Sequence, residues 1–122
     1  MRVGIDLVSV QEVQESIDTH GERYTRFVYT EHELADCTSE HGVDAARLAA
    51  RFAAKEAALK ALAPVEEGIQ FSSIEVRRGE AGAVALTLSG SAAEAAARAG
   101  ISELALSIAH HSGFACAVVV AT

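Results

Sequence analysis

The middle of the chain has the pattern of one long helix. Arg51–Leu62 (RFAAKEAALKAL) consists mainly of alanine, leucine, lysine and glutamate, and it contains neither glycine nor proline. Such residues favour a helix because they lose little conformational freedom there. The helix is predicted to begin at Val43 or Asp44, and Pro64 and Gly68 are predicted to end it.

Phe52, Glu56 and Lys60 follow one another at intervals of four residues, so they are predicted to share one face of this helix. Spacing alone favours a surface ion pair between Glu56 and Lys60, with the glutamate on the N-terminal side. The alternative is a metal-binding carboxylate with a phosphate-binding ammonium group one turn later. The helix by itself does not decide between these two interpretations.

Other segments have the apolar patterns of strands. Val3–Val10 is predicted to be a buried strand near the N-terminus. Ile69–Arg77 and Val84–Ser89 flank the turn sequence GEAG and form a predicted hairpin. Leu104–His110 and Phe114–Ala121 are two more predicted strands, joined by a short turn.

Shorter helices are predicted at Ser9–His20, Thr30–Cys37 and Ser91–Gly100. Each begins with a serine or threonine that a glutamate follows three residues later, which is the capping-box pattern. Between the first two helices, Arg23–Tyr29 is predicted to pack through three side chains: Tyr24, Phe27 and Val28. Thr38–Gly42 is predicted to be a polar loop. The class is therefore α+β: a small single domain with a mainly antiparallel sheet packed on the long central helix.

The composition limits the possible function classes. The chain has 122 residues, half of them apolar, and a formal charge of −7. This length fits one domain over residues 1–122, and a small alanine-rich domain often gains buried surface by self-association. The negative charge argues against a protein that coats nucleic acid and against a polybasic membrane patch, but not against anionic ligands.

Cys37 and Cys116 are too few for a disulfide framework, and no CxxC motif occurs. We expect both to be free thiols in a reducing compartment. The N-terminal MRVGIDLVSV lacks the layout of a signal peptide because its apolar run is short and contains Asp6. No apolar run approaches the length that spans a membrane. The sequence therefore predicts a soluble, cytoplasmic protein.

Polar residues stand inside three apolar segments: Asp6 in the first strand, Glu56 and Lys60 on the central helix, and His110 at the end of a late strand. A buried carboxylate has to be paired, hydrogen-bonded or metal-bound, unless Asp6 lies at the strand end and caps the next segment. Two carboxylates from distant segments suit Mg²⁺, which completes its octahedron with water and phosphate oxygens. A lysine and a histidine would add phosphate contacts or proton transfer. A lone histidine, however, is more often structural or exposed.

Other kinds of site find no support in the sequence. His110 and His111 are neighbours whose side chains point to opposite faces of a strand, so no zinc site is predicted. The phosphate loops GxxxxGKS/T and GxGxxG are absent, as is the nucleophile motif GxSxG. Nothing around Cys116 indicates an activated thiol.

Three motifs occur in order along the chain: GIDLVSV, RFAAKEAALKAL and LSIAHHSGFACAVVV. With these spacings the chain resembles, over nearly its whole length, the holo-acyl-carrier-protein synthase family of small 4′-phosphopantetheinyl transferases. The resemblance implies transfer of the phosphopantetheine arm of coenzyme A to a serine of an apo acyl carrier protein, releasing adenosine 3′,5′-bisphosphate. It also implies Mg²⁺ as cofactor and a homotrimer with active sites at the subunit interfaces.

The same resemblance implies a role for each candidate residue. Asp6 and Glu56 match the Mg²⁺ ligands. Lys60 matches the residue that contacts phosphate and assists departure of the nucleotide, and His110 matches a histidine at the metal and coenzyme site. Arg51 matches an arginine that tends to face the coenzyme A phosphates. The base that accepts the serine proton stays open between metal-bound water and Glu56.

One departure from the family concerns the carrier protein. Family members often carry arginine or lysine on the first helix, where the acidic carrier docks, but VQEVQESIDTH is acidic here. Two acidic surfaces repel, so a local basic patch is expected from Arg23, Arg26 or the Arg47 side of the central helix.

Two alternatives to this transferase remain at the level of sequence. One is a non-catalytic module that binds coenzyme A or a carrier protein, although the intact set of Asp6, Glu56 and Lys60 argues against it. The other is an unrelated magnesium-dependent nucleotide phosphohydrolase. That enzyme would need more carboxylates around the metal than the two found in apolar segments.

Overall fold

A computed structural model describes residues 1–63 and 68–122 of the chain; the predicted helix stop at Pro64 lies outside these residues. The helices are α1 (Val10–His20), α2 (Glu22–Val28), α3 (Glu31–Asp36), α4 (Ala45–Leu62) and α5 (Gly90–Arg98). The strands are β1 (Arg2–Ser9), β2 (Thr38–Ser39), β3 (Gly42–Val43), β4 (Ile74–Arg78), β5 (Val84–Leu88), β6 (Leu104–His111) and β7 (Phe114–Ala121). The α+β prediction is confirmed.

Helix α4 lies at the centre of the fold, as predicted. Asp44 is its N-cap, and the Asp44 side chain accepts a hydrogen bond from the Arg47 backbone N–H at 3.2 Å. The helix packs on β1 and β7 through a face of small side chains, all of them buried: Ala49, Ala50, Ala53, Ala54, Ala57, Ala58 and Ala61. Small side chains let the helix backbone approach the sheet closely. This close approach places side chains of α4 next to β1.

Antiparallel pairing builds every sheet in the described part of the chain. A three-stranded sheet has the order β1-β7-β6, and β4 with β5 and β2 with β3 form two smaller sheets. The predicted polar loop at Thr38–Gly42 is therefore wrong, because Thr38 and Ser39 pair with Val43 and Gly42 in a miniature hairpin.

The prediction that β1 is a buried strand is wrong for one of its faces. Val3 and Ile5 are each 57% exposed and Leu7 is 65% exposed, whereas Gly4 and Val8 are buried. Alternate residues of a strand point to opposite faces, and α4 covers only the face that carries Gly4, Asp6 and Val8. The other face of the sheet is apolar and open in the single chain.

The predicted strand Ile69–Arg77 is wrong in its first half. Phe71–Ser73 forms a 3₁₀ turn, and β4 begins only at Ile74. The Ser73 hydroxyl donates to the Gln70 carbonyl at 2.6 Å and accepts from the Ala92 N–H at 3.2 Å, so it draws this segment into a turn beside α5. The hairpin of β4 and β5 itself is confirmed.

The caps of α1 and α3 are confirmed, but the predicted cap of α5 is wrong. Ser9 accepts from the Glu12 N–H, and Thr30 and Glu33 complete a capping box. Helix α5 begins at Gly90 after Ser89, and the Ser91 hydroxyl instead accepts from the Gln70 N–H at 3.0 Å. Within residues 1–63 and 68–122, no helix is long and apolar enough to cross a membrane.

Candidate active site

Strand β1 and helix α4 bring Asp6 and Lys60 together. The Lys60 Nζ donates to Asp6 Oδ1 at 3.1 Å and to the carbonyl of Ile5 at 2.9 Å. Asp6 thus lies within the strand and faces the helix, so the alternative that it caps the strand end is wrong. Lys60 pairs with Asp6 across two elements and not, as spacing alone favoured, with Glu56 along its own helix.

Glu56 lies one helical turn before Lys60 and is partly buried. Burial raises the pKa of its carboxyl above the ordinary value of 4.5, and the negative charge of Asp6 raises this pKa further, while Lys60 acts in the opposite direction. Asp6 and Glu56 are therefore close enough for their charges to repel. A cation bound between them would relieve that repulsion.

An open cavity of about 900 Å³ adjoins these charges. Its apolar walls include Phe27, Leu59, Ile69 and Phe71, and its polar lining includes five residues: Arg26, Glu56, Lys60, Gln70 and Ser72. Its volume and its apolar walls with a few polar groups are typical of sites for small molecules and cofactors. The cavity can therefore hold a small ligand whose anionic group contacts Lys60.

Aromatic rings shape one wall of this cavity. The Phe71 ring lies 6.0 Å from that of Phe27 and 5.8 Å from that of Phe52, measured between ring centroids. Phe27 was predicted to pack, and its ring does pack against Phe71, but 71% of the residue is exposed. Phe27 stands at the cavity rim, on the helix α2 that also carries Arg26.

His110 lies apart from these residues in the single chain. It is exposed near the end of β6, where it pairs with Ala115 of β7, while Asp6 of β1 pairs with Ala117. Strand β7 separates β1 from β6, so His110 and Asp6 are about two strand spacings, or roughly 10 Å, apart across the sheet. The fold does not bring His110 to Asp6 within one protomer.

Arg51 also lies away from the cavity. Its side chain is 4% exposed, and its guanidinium lies 3.8 Å from the Asp36 carboxylate and donates to the Arg47 carbonyl at 3.4 Å. Arg51 does not line the cavity that Glu56 and Lys60 line. The arginine that lines this cavity, within the described part of the chain, is Arg26.

A family model of the 4′-phosphopantetheinyl transferase superfamily matches residues 2–119 of the chain. The chain belongs to this superfamily. The match runs through β1, α4 and the β6–β7 pair, so it includes every candidate residue named above.

Named relatives of this superfamily member agree with that assignment. A holo-[acyl-carrier-protein] synthase of Chloroflexus aurantiacus is 42% identical over 97% of this chain and 95% of its own. Among solved structures, the Helicobacter pylori holo-[acyl-carrier-protein] synthase in complex with coenzyme A has a TM-score of 0.84 at 30% identity, covering 98% of this chain and 99% of that one. The Chronobacterium ammoniagenes ACPS–CoA complex also has a TM-score of 0.84, at 33% identity, covering 99% and 96%.

The donor set of this superfamily member suits a hard cation that also binds phosphate. Among residues 1–63 and 68–122, no group of three or more histidine, cysteine or acidic side chains could hold a metal ion. Asp6 and Glu56 supply two carboxylates, and Mg²⁺ needs no more when water and phosphate oxygens complete its shell. A cation bound between these two carboxylates is favoured because it removes their mutual repulsion.

Sequence reasoning missed the cavity role of Arg26 and the two rim phenylalanines. The segment RYTRFVY has the aromatic and basic residues of a ligand wall, but its burial pattern was not readable from the sequence. Phe71 and Gln70 were assigned to a strand, so their position beside α2 could not be anticipated. Only the 3₁₀ turn at Phe71–Ser73 turns them towards the cavity.

Proposed function

We propose that this chain transfers the 4′-phosphopantetheine group of coenzyme A to a serine hydroxyl of an apo acyl carrier protein, releasing adenosine 3′,5′-bisphosphate. The observation that carries the proposal is that Glu56 and Lys60 line an amphipathic cavity, while Lys60 also pairs with Asp6 of β1. Membership of the superfamily and the coenzyme A complexes of two similar proteins support the same reaction.

Asp6 and Glu56 are proposed to hold Mg²⁺. When bound, the metal neutralises charge on the pyrophosphate and on the leaving phosphate. Lys60 Nζ lies beside Asp6 and is suited to contact an oxygen of the departing phosphate, where negative charge grows during transfer. The serine hydroxyl has to lose a proton on transfer, and the Glu56 carboxylate at the cavity is one candidate acceptor for that proton.

The cavity lining supports coenzyme A as the donor. The phosphopantetheine arm is a chain of methylene groups interrupted by amides. Apolar walls at Phe27, Leu59 and Phe71 suit its methylene groups, and Gln70 and Ser72 offer hydrogen bonds to its amides. Arg26 adds a cation at the cavity rim for phosphate or for an acidic carrier protein, and Arg51 is left with a structural contact to Asp36 in the single chain.

The open face of the three-stranded sheet supports self-association, and we propose that the assembly is a homotrimer. Val3, Ile5 and Leu7 form an exposed apolar row on β1, and a monomer rarely leaves such a row uncovered. In such an assembly His110, which is exposed near the end of β6, is proposed to reach the site of a neighbouring protomer. The free thiols of Cys37 and Cys116 support a reducing, cytoplasmic location.

Mass spectrometry of intact apo carrier proteins tests this function. Each carrier is incubated with coenzyme A, the purified protein and Mg²⁺, and a parallel reaction contains a chelator. We expect one serine to gain the phosphopantetheinyl mass only with Mg²⁺. Glu56→Gln should reduce the rate at least 100-fold, and the matched exposed variant Glu94→Gln should not. Binding of coenzyme A without transfer to any carrier would favour a non-catalytic binding module.

A further inference from the structure

Glu33 is a wholly buried carboxylate that joins three elements of the fold. Its Oε1 accepts hydrogen bonds from Lys55 Nζ at 2.6 Å and from the Thr30 backbone N–H at 2.9 Å. Its Oε2 accepts from the Val76 backbone N–H at 2.7 Å. Neither Glu33 nor Lys55 is accessible to solvent. We call this set of three hydrogen bonds the Glu33 staple.

Two partners of the Glu33 staple belong to elements next to the cavity, and the third, Thr30, is the N-cap of the helix α3 that carries Glu33. Lys55 is on α4 immediately before Glu56. Val76 is on β4, directly after the turn that supplies Phe71. One carboxylate on α3 therefore fixes the α4 floor of the cavity against the segment that carries its Phe71 wall.

The Glu33 staple is more than a buried charge pair needs. A buried ion pair gives little net stability compared with apolar side chains of similar size, because both charges lose their hydration. Lys55 alone would neutralise Glu33, yet the Glu33 carboxylate also accepts the Val76 backbone N–H of β4, besides the Thr30 N–H that caps α3. Directional bonds from α3 to α4 and to β4 set the rotation of α4 relative to β4, which apolar alanine packing leaves less defined.

We propose that Glu33 and Lys55 are positioning residues for phosphopantetheine transfer, which hold Glu56 and the cavity walls at the spacing that the reaction requires. This inference rests on the proposed function. Neither residue lines the cavity, so neither touches the substrate. A displacement of about 1 Å at a reacting group can cost about 100-fold in rate, so a loosened staple should lower kcat even in a folded protein.

The double variant Glu33→Gln/Lys55→Met tests the proposal. It removes both charges with little change in size, but a glutamine has one acceptor oxygen and cannot serve both the Thr30 and the Val76 N–H groups. Leu48→Ala is the matched control, because Leu48 is a fully buried α4 residue outside the staple and the cavity. For each protein, kcat, the KM for coenzyme A and calorimetric coenzyme A affinity are measured well below its melting temperature.

We expect the folded double variant to lose between about 10-fold and 100-fold in kcat, while Leu48→Ala keeps its kcat despite a lower melting temperature. An unchanged kcat in the folded double variant would overturn the positioning role. If the double variant does not fold, Glu33→Asp decides: it keeps the charges but withdraws the carboxylate, and a wild-type kcat would then overturn the role.

The proposed function and the positioning role can fail separately. If the wild-type protein transfers nothing to any carrier, the proposed function fails. The coenzyme A titrations then still test the staple. If the double variant binds coenzyme A at least about fivefold more weakly than wild type, and Leu48→Ala does not, the loss of the staple has displaced the cavity walls. Equal affinities of the double variant and wild type would contradict such a displacement. Wild-type transfer with an unchanged double variant contradicts the positioning role alone.

Discussion

At the scale of single residues, the charge on Glu56 is costly in the metal-free protein. Burial raises the pKa of its carboxyl, and Asp6 adds to the rise. Asp6 has a compensating partner, since Lys60 Nζ lies 3.1 Å from its Oδ1. The charged form of Glu56 is therefore disfavoured by its surroundings, as is often found for residues that function through their charge.

This rise in pKa predicts how stability depends on pH. Between the ordinary pKa of 4.5 and the raised native value, the folded protein binds more protons at Glu56 than the unfolded chain does. The contribution of Glu56 to the free energy of unfolding is therefore lost as pH rises through this window. Glu56→Gln lacks the contribution, so its stability relative to wild type should increase as pH rises through the same window.

Denaturant unfolding at a series of pH values, without divalent metal, measures that difference. Glu94→Gln is the control, because Glu94 is exposed on α5 and its removal should leave the pH dependence as in wild type. If the free energies of unfolding of wild type and Glu56→Gln changed with pH in parallel, the pKa of the Glu56 carboxyl would not be raised in the folded protein.

Residues of the candidate site could be predicted from the sequence only where their polarity or spacing sets them apart from the segment around them. Asp6 stands out because it interrupts an apolar strand, and Lys60 and Glu56 stand out by their spacing. The partner of Lys60 could not be predicted, because it depends on where β1 crosses α4, 54 residues away in sequence. Glu33 was predicted only as half of a capping box; its bonds to Lys55 and Val76 depend on tertiary packing.

At the scale of elements, the contact between β1 and α4 decides whether the site forms. Gly4 is the point of closest approach: a Cβ added there would lie 1.8 Å from the Ala57 carbonyl oxygen and 3.1 Å from the Ala61 nitrogen. Both atoms belong to the helix backbone, which cannot move aside locally. Gly4 thus sets the distance from Asp6 on β1 to Glu56 and Lys60 on α4.

Gly4→Ala should therefore reduce the free energy of unfolding by about 3 kcal/mol or more, the upper range for overpacking. Chemical denaturation measures the loss. Gly79→Ala is the matched control, because a Cβ there would lie 3.7 Å from the Ala83 oxygen, an ordinary contact. Equal stability of the two variants would mean that the helix does not rest on the strand at Gly4.

Elements were predictable where local chemistry and tertiary contacts agree. Asp44 caps α4 and Thr30 with Glu33 caps α3, because capping bonds form between residues three apart. The segment before β4 was wrongly predicted, because its residues Gln70 and Ser73 hydrogen-bond to Ser91 on α5, which is distant in sequence. The exposed face of β1 was also unpredictable, since an apolar strand has the same sequence pattern whether a helix or another protomer covers it.

At the scale of the whole molecule, the open sheet face predicts an oligomer. Ile5 pairs with Val118 and lies in the middle of the exposed row on β1. A charge placed there would have to be buried on association. Ile5→Lys should therefore convert the oligomer to monomers, as measured by size-exclusion chromatography with light scattering.

Val43→Lys is the control for that change. Val43 is 40% exposed on the β2–β3 hairpin, away from the sheet face, so this variant should keep the wild-type mass. Circular dichroism checks that Ile5→Lys remains folded. A wild-type mass for folded Ile5→Lys would contradict association through this face.

The position of His110 links the proposed oligomer to the proposed transfer reaction. In one protomer, β7 separates His110 from Asp6, so we expect His110 to act on the site of a neighbouring protomer. Glu56→Gln and His110→Ala subunits, each weakly active alone, should then restore activity when they are co-expressed in one oligomer. With random mixing, about a quarter of the interfaces join an intact Glu56 to an intact His110, so about a quarter of the wild-type rate is expected.

Asp6→Asn co-expressed with Glu56→Gln provides the control for this complementation. Asp6 and Glu56 act on each other's charge within one protomer, so every site in these mixed oligomers lacks one of the two carboxylates and no activity should return. Restoration in the His110→Ala mixture but not in this control would assign His110 to the partner's site. Activity no greater than the sum of the separate variants would mean that His110 takes no part across the interface.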